Sequence, residues 1–260
     1  MSKQGNLPRR PGDVYFFATC VVDQFFPSAG MDAITLLERE GIRVHFPEGQ
    51  TCCGQPAHTS GFPDESRKVA AHTLTLFPND WPVVVPSGSC AGMMKHHYPT
   101  LFAADPVRKA QSEALAARIH EFTDFLVNVL GYQPQDMGSD CTVVLHTSCS
   151  ARREMGVHLT GRKLLDDLAK VTVAQQDHES ECCGFGGTFS IKQPEISGAM
   201  VEDKVKALKA SGAERVVSAD CGCLMNILGH AAWKDEQEGQ KTPSLPGEHI
   251  ASFLLRRTAK

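Results

Sequence analysis

A cysteine pattern is written twice along this chain. The first copy is Cys20, then Cys52-Cys53-Gly54, then Cys90; the second is Cys149, then Cys182-Cys183-Gly184, then Cys221 and Cys223. Between the lone cysteine and the pair lie 31 residues in the first copy and 32 in the second. Between the pair and the next cysteine lie 36 residues (to Cys90) and 37 (to Cys221). Nine of the ten cysteines obey the repeat, and Cys141 stands outside it. A repeat of fixed period implies two copies of one supersecondary unit. Repeated soft thiolate ligands imply metal chemistry, with iron–sulfur first among the possibilities.

The residues around the cysteines give each copy its secondary structure. Val14–Ala18 and Thr142–His146 are short apolar runs that read as buried strands. Helices are expected over Ser28–Glu40 and Thr160–Lys170, and second strands over Ile42–Phe46 and Val171–Ala174. The cysteine pairs fall in glycine-bearing loops, where the backbone can wrap close to a bound group. Further helices are expected over Asp64–Phe77 and Pro194–Ala210, with Pro63 and Pro194 near their first turns. Third strands, Val83–Val85 and Arg215–Val217, lead directly to Cys90 and to Cys221-Gly222-Cys223. One long helix is expected over Pro106–Leu130, a linker over Gly131–Asp140, and a last helix over Glu248–Arg257.

This alternation predicts an α/β chain of two pseudo-symmetric Rossmann-like domains, 12–130 and 141–260, each with a parallel sheet. Every cysteine of the repeat then follows a strand at its carboxyl end, the edge where open α/β sheets place ligands. Helix starts at Cys90 and Cys223 also favour thiolate over thiol.

The length of 260 residues suits two domains, and the net charge of −4 gives no general basic field for nucleic acid. Lys3, Arg9 and Arg10 make the N-terminus basic, but no apolar segment of a signal peptide follows. No apolar run approaches the roughly 18–20 residues of a membrane span. The expected location is therefore the cytoplasm, where ten cysteines read as ligands or redox groups rather than disulfides. Zinc and disulfide staples are the rival readings. Zinc sites usually pair two close-spaced C-x₂-C knuckles, and this chain has none.

The doubled pattern, C-x₃₁-CCG-x₃₅-C and C-x₃₂-CCG-x₃₆-C, resembles the cysteine-rich CCG domain family. That family includes a subunit of the heterodisulfide reductases, the glycolate oxidase iron–sulfur subunit and lactate utilization proteins. The stretches Phe17–Asp23, Gln50–Ala57, Cys182–Gly187, Cys223–Asn226 and Glu248–Ala251 are most similar to the lactate-utilization branch. The resemblance implies an iron–sulfur electron-transfer subunit of a multi-protein complex that oxidises L-lactate to pyruvate. It implies one or two [4Fe–4S] clusters held by Cys20, Cys52, Cys53, Cys90, Cys149, Cys182, Cys183, Cys221 and Cys223, with no catalytic residue of its own. It also implies partner subunits carrying iron–sulfur clusters. A heterodisulfide reductase- or glycolate oxidase-type subunit is the alternative, and a zinc-stabilised binding module the second.

One departure from the family pattern stands out. The family motif ends in CxxC, whereas copy one has Cys90 alone, with Met93 three residues on, and copy two has a CxC. Counted from the pair, Cys221 fits; counted from Leu224-Met225-Asn226, Cys223 fits. The remaining residues take plain readings: Cys141 as a small buried hydrophobe, His96 and His97 as a solvated helix end, His146 as a satisfied core histidine. Met93, Met94, Met200 and Met225 read as core. Gly184-Phe185-Gly186-Gly187 lacks the dinucleotide-loop spacing.

Overall fold

The computed structural model describes residues 10–258; Lys3 and Arg9 lie outside them. The strands are β1 (Asp13–Phe16), β2 (Arg43–His45), β3 (Val83–Val85) and β4 (Ile119–Glu121), then β5 (Cys141–His146), β6 (Val171–Ala174), β7 (Arg215–Ser218) and β8 (Gly247–His249). They form two four-stranded sheets of identical order, β2-β1-β3-β4 and β6-β5-β7-β8. Every pairing is parallel, as in Val14↔Val44, Tyr15↔Val83 and Val84↔His120, matched by Val143↔Val173, Val144↔Val216 and Val217↔Glu248. In each sheet the chain leaves its first strand to one side and returns on the other. The crevice this opens lies between the carboxyl ends of β1 and β3, and of β5 and β7.

The strands bury both faces, and their alternation sorts the residues into separate cores. Val14, Phe16 and Val84 face a central cluster, and so do Val143, Leu145 and Val217 from the second sheet. Tyr15, Phe17, Val83 and Val85 face the first half's own core. Val144 and Val216 face that of the second. The central cluster therefore joins the halves. It is completed by helices that cross over: Ile250–Thr258, at the chain's end, packs on Pro27–Arg39, and the run Phe122–Leu130 contributes Phe122, Phe125 and Leu126. Arg257 on the crossing helix pairs with Asp136 in the segment between the halves, 2.6 Å apart, with side chains only 3% and 1% exposed. Arg257 also donates to the Ser139 carbonyl. Although burial opposes ionisation, the hydrogen bond from Arg257 and the backbone N–H groups of Lys170 and Gly138 hold the Asp136 carboxyl below its usual range.

Two expectations need correction. The single helix over Pro106–Leu130 is in fact a helix at Pro106–Ala116, the strand β4, and a second helical run from Phe122. Glu121 ends the strand and caps this second run, its carboxylate accepting from the N–H groups of Thr123 and Asp124. Likewise Glu248 belongs to β8, paired with Val217, and the last helix starts at Ile250. Each sheet thus has four strands rather than three. Among the described residues, no helix is long and apolar enough to cross a membrane.

Candidate metal centre

Each half gathers four thiols at the carboxyl rim of its sheet. Cys20 opens the helix Cys20–Phe25 just after β1. Thr19 before it has φ 63°, a conformation that costs a non-glycine residue energy and marks a constrained site. Cys52 and Cys53 sit in the loop after β2, and Cys90 in the helix Gly88–Gly92 after β3. The thiols lie close enough to perturb one another in sequence, Cys20 to Cys52 to Cys53 to Cys90. In the second half Cys149, Cys182, Cys183 and Cys223 form the same chain.

The glycine of each CCG is required by its surroundings. Gly54 and Gly184 have φ of 86° and 83°. A Cβ at Gly184 would stand 2.7 Å from the Ser197 carbonyl oxygen, and one at Gly54 3.1 Å from Ser66 Oγ. Those serines bind the loops from outside: Ser66 Oγ donates to the Gly54 carbonyl (3.1 Å) and Ser197 Oγ to that of Gly184 (2.9 Å). The turn aims the Gly54 N–H at Cys52 Sγ (3.4 Å) and the Gly184 N–H at Cys182 Sγ (3.3 Å). Such main-chain donors favour the thiolate form.

Packed sulfurs cannot all ionise without a cation between them. In the first quartet hydrogen bonds from Cys20 and Cys53 push Cys52 down to about 3. Cys20 and Cys53 are pushed up, first by hydrogen bonding to Cys52 and then by burial and neighbouring thiols. In the second quartet all four thiols are pushed up; for Cys149 the hydrogen bond with Cys182 leads and burial follows. A bound soft cation reverses this, because a coordinating thiol is deprotonated outright. None of the ten cysteines is in a disulfide.

The two rims meet. One cavity of about 560 Å³ is lined by all nine cysteines of the repeat, four from the first copy and five from the second. Asp220, 3% exposed, ties its walls together. Its Oδ1 accepts from Ser87 Oγ (2.8 Å), Ser89 Oγ (2.9 Å) and Ser89 N–H (3.1 Å) in the first half. Its Oδ2 accepts from Ser148 Oγ (2.8 Å) in the second. Close contact between the halves also explains Gly88, where a Cβ would stand 2.3 Å from the Ala151 Cβ and 3.0 Å from its Cα. Gly88→Val is therefore expected to cost about 1–3 kcal/mol of stability by overpacking. A drop of several degrees in the melting temperature checks this, at about 2–4 °C per kcal/mol for a domain of 150–250 residues.

The structure separates Cys221 from Cys223. They stand two apart on the helix Cys221–Gln237 and so point about 200° apart. Cys223 joins Cys183 in the second half's core. Cys221, 1% exposed, packs on Val22 and Ala29 of the first half. Burial, then the charges of Asp220 and Cys90, push its thiol up.

His146 departs from its expected role. It is fully buried, yet neither ring nitrogen has a hydrogen-bond partner among the described residues. A ring nitrogen lies within 4.8 Å of the sulfurs of Cys183 and Cys223, which lie as close to each other. Burial, with Lys204 and Arg152 adding to it, pushes its pKa down to about 3 and keeps the imidazole neutral. The period-2 alternation of β5 puts His146 on the same face as Val144, and the fold packs that face among Cys183 and Cys223. His97 also differs from a solvated helix end: it lines the cavity, with Nε2 3.2 Å from Glu154 Oε1. His96 is exposed, as expected. Cys141 lies outside the cavity, half-buried against the central core. Met93 and Met94 are core residues; Met200 and Met225 are only half-buried.

Paired parallel sheets with a thiol quartet at each carboxyl rim define a duplicated cysteine-rich α/β protein. The chain belongs to the CCG cysteine-rich domain family, which matches residues 14–95 and again 143–228. It is 43% identical over 244 residues to lactate utilization protein A of Bacillus subtilis, covering 94% of this chain and 99% of that one. The Shouchella clausii protein of the same name is also 43% identical over 244 residues, at 93% and 98% coverage. Lactate utilization protein A 1 of Bacillus mycoides is 45% identical over 219 residues, at 83% and 88%. A solved structure of a hypothetical Helicobacter pylori protein shares the fold, with a TM-score of 0.69 at 10% identity; this chain covers half of that one. The clustered thiols suit a metal or iron–sulfur group. The donors are soft, four converge on each side, and backbone N–H groups are aimed at one sulfur of each quartet.

Proposed function

We propose that this chain is an iron–sulfur electron-transfer subunit of a multi-protein system oxidising L-lactate to pyruvate. The observation that carries the proposal is the pair of thiol quartets in one cavity, in a chain so similar along its length to lactate utilization proteins A. Cys20, Cys52, Cys53 and Cys90 would hold one [4Fe–4S] cluster, and Cys149, Cys182, Cys183 and Cys223 the other. When bound, each cluster supplies one-electron redox chemistry. The repeat units 12–130 and 141–260 would each provide one centre. Conversion of lactate to pyruvate releases two electrons and two protons, which suits two one-electron carriers side by side. The Gly54 and Gly184 N–H groups stabilise the thiolates, and Asp220 keeps the two rims in register. Partner subunits with their own iron–sulfur clusters would exchange electrons at this cavity, in the cytoplasm.

A strain lacking this chain is expected to lose growth on L-lactate as sole carbon source and to keep growth on glycolate. The chain itself, but not its Cys53→Ala/Cys183→Ala double variant, restores it. Loss on glycolate alone would move the chain to a glycolate oxidase-type role, and no loss on either would overturn the proposal.

A further inference from the structure

The two centres are not equivalent, and the difference lies at one register position. His146 stands three residues before Cys149, and three residues before Cys20 stands Phe17. Both are fully buried. Phe17 packs in the apolar core of the first half, among Phe77, Val83 and Val85. His146 has a ring nitrogen within 4.8 Å of the Cys183 and Cys223 sulfurs, and neither ring nitrogen has a partner among the described residues. A buried N–H without a partner is costly, so an imidazole in this position needs an acceptor. The nearest polar atoms of the proposed centre are sulfurs.

The geometry points to His146 as an N–H donor to a sulfur of the second cluster, raising the reduction potential of that cluster above that of the first. This rests on the cluster reading above. Four cysteines already match the four irons of a cubane, so the imidazole acts on sulfur rather than as a fifth iron ligand. A hydrogen bond to sulfur draws negative charge from the cluster and stabilises its reduced, more negative state. A phenyl ring offers no such donor. A second residue acts in the same direction. Lys204, 2% exposed, adds a buried positive charge on the helix Pro194–Ala210, whose Ser197 binds the carbonyl of Gly184 beside the Cys182-Cys183 pair. Counting from the matched serines Ser197 and Ser66, Lys204 corresponds to the uncharged Thr73. An electron entering the pair would therefore rest on the second centre.

The test is an EPR-monitored redox titration of the full chain after anaerobic iron and sulfide reconstitution. Iron is counted in the same samples. The unsubstituted chain is expected to show two separable midpoints. Cys53→Ala, which keeps only the second centre, is expected to retain the higher one. In that background His146→Phe is expected to lower the midpoint by at least a tenfold change in the reduction equilibrium, about 59 mV for one electron, at unchanged iron content. His146→Gln, which keeps an N–H donor, retains most of the original value. Full iron with an unmoved midpoint in His146→Phe overturns this assignment alone. Loss of the second centre's iron in both His146 variants makes His146 a ligand or a folding requirement, and also overturns it. An unsubstituted chain that takes up no iron overturns the cluster reading and this assignment with it.

Discussion

Replacing Cys183 with alanine is expected to strip the second half of its iron while the first half stays loaded, so that iron per reconstituted chain falls by about four atoms, one cubane cluster. Cys183 is the middle of its quartet. It is 2% exposed, follows Cys182 directly, and its sulfur lies within 4.8 Å of that of Cys223, so alanine removes the central thiolate of an enclosed site. Cys53 holds the matching place in the first quartet, and Cys53→Ala is expected to give the complementary loss. Cys221→Ala is the informative contrast. Its side chain packs on Val22 and Ala29, away from Cys223, and the second centre is expected to keep its full iron. Metal analysis together with absorption spectra of the three variants checks this. Equal iron loss in Cys183→Ala and Cys221→Ala would show that the CxC acts as one unit, against the orientation derived from the helix.

The second large effect concerns the joint between the halves. Arg257→Met is expected to destabilise the chain by about 3–5 kcal/mol, because it leaves the Asp136 carboxylate buried without its cation. Both side chains are almost completely enclosed and 2.6 Å apart, so solvent screening reduces the effect little. The pH dependence has a definite sign. A carboxylate held below its usual pKa stabilises the fold at neutral pH, and that contribution is lost as pH falls through and below about 3.9, the unfolded value. In Arg257→Met the lone carboxyl can instead protonate in place, so the deficit against the unsubstituted chain is expected to shrink between pH 7 and pH 4. Thermal unfolding at the two pH values measures it. A melting temperature within one or two degrees of the original at pH 7 would remove the pair from the account of how the halves are held.

Much of this architecture is legible in the residues. Valine-rich runs such as Val83–Val85 can only be interior strands, and the cysteines follow those strands with a regularity that places them on one rim. The short outer strands are not legible. Ile119-His120-Glu121 sits inside a stretch whose apolar spacing is helical on both sides, and Gly247-Glu248-His249 has no apolar alternation at all. Each is a strand because it pairs with β3 or β7, a tertiary condition rather than a local preference. The merging of two rims into one cavity is hidden for a related reason. It depends on the shared core, where the last helix packs on Pro27–Arg39 and Phe253 joins one cluster with Leu36 and Leu37, and on Gly88 lying against Ala151. Helix geometry separates Cys221 from Cys223, but only the packing of Cys223 with Cys183, and of Cys221 with Val22 and Ala29, chooses between them. His146 escapes a reading of the residues alone because a histidine at the end of a buried strand usually has its hydrogen bonds, and this one has none among the described residues.

The claim on which the rest depends is that each thiol quartet holds an iron–sulfur cluster. Iron, acid-labile sulfide and zinc counted per chain in the anaerobically reconstituted protein test it directly. Two quartets predict about eight iron and eight sulfide, with four of each remaining in Cys53→Ala or Cys183→Ala and none in the double variant. A colourless chain that binds zinc tightly, or one whose iron content is untouched by both substitutions, would contradict it.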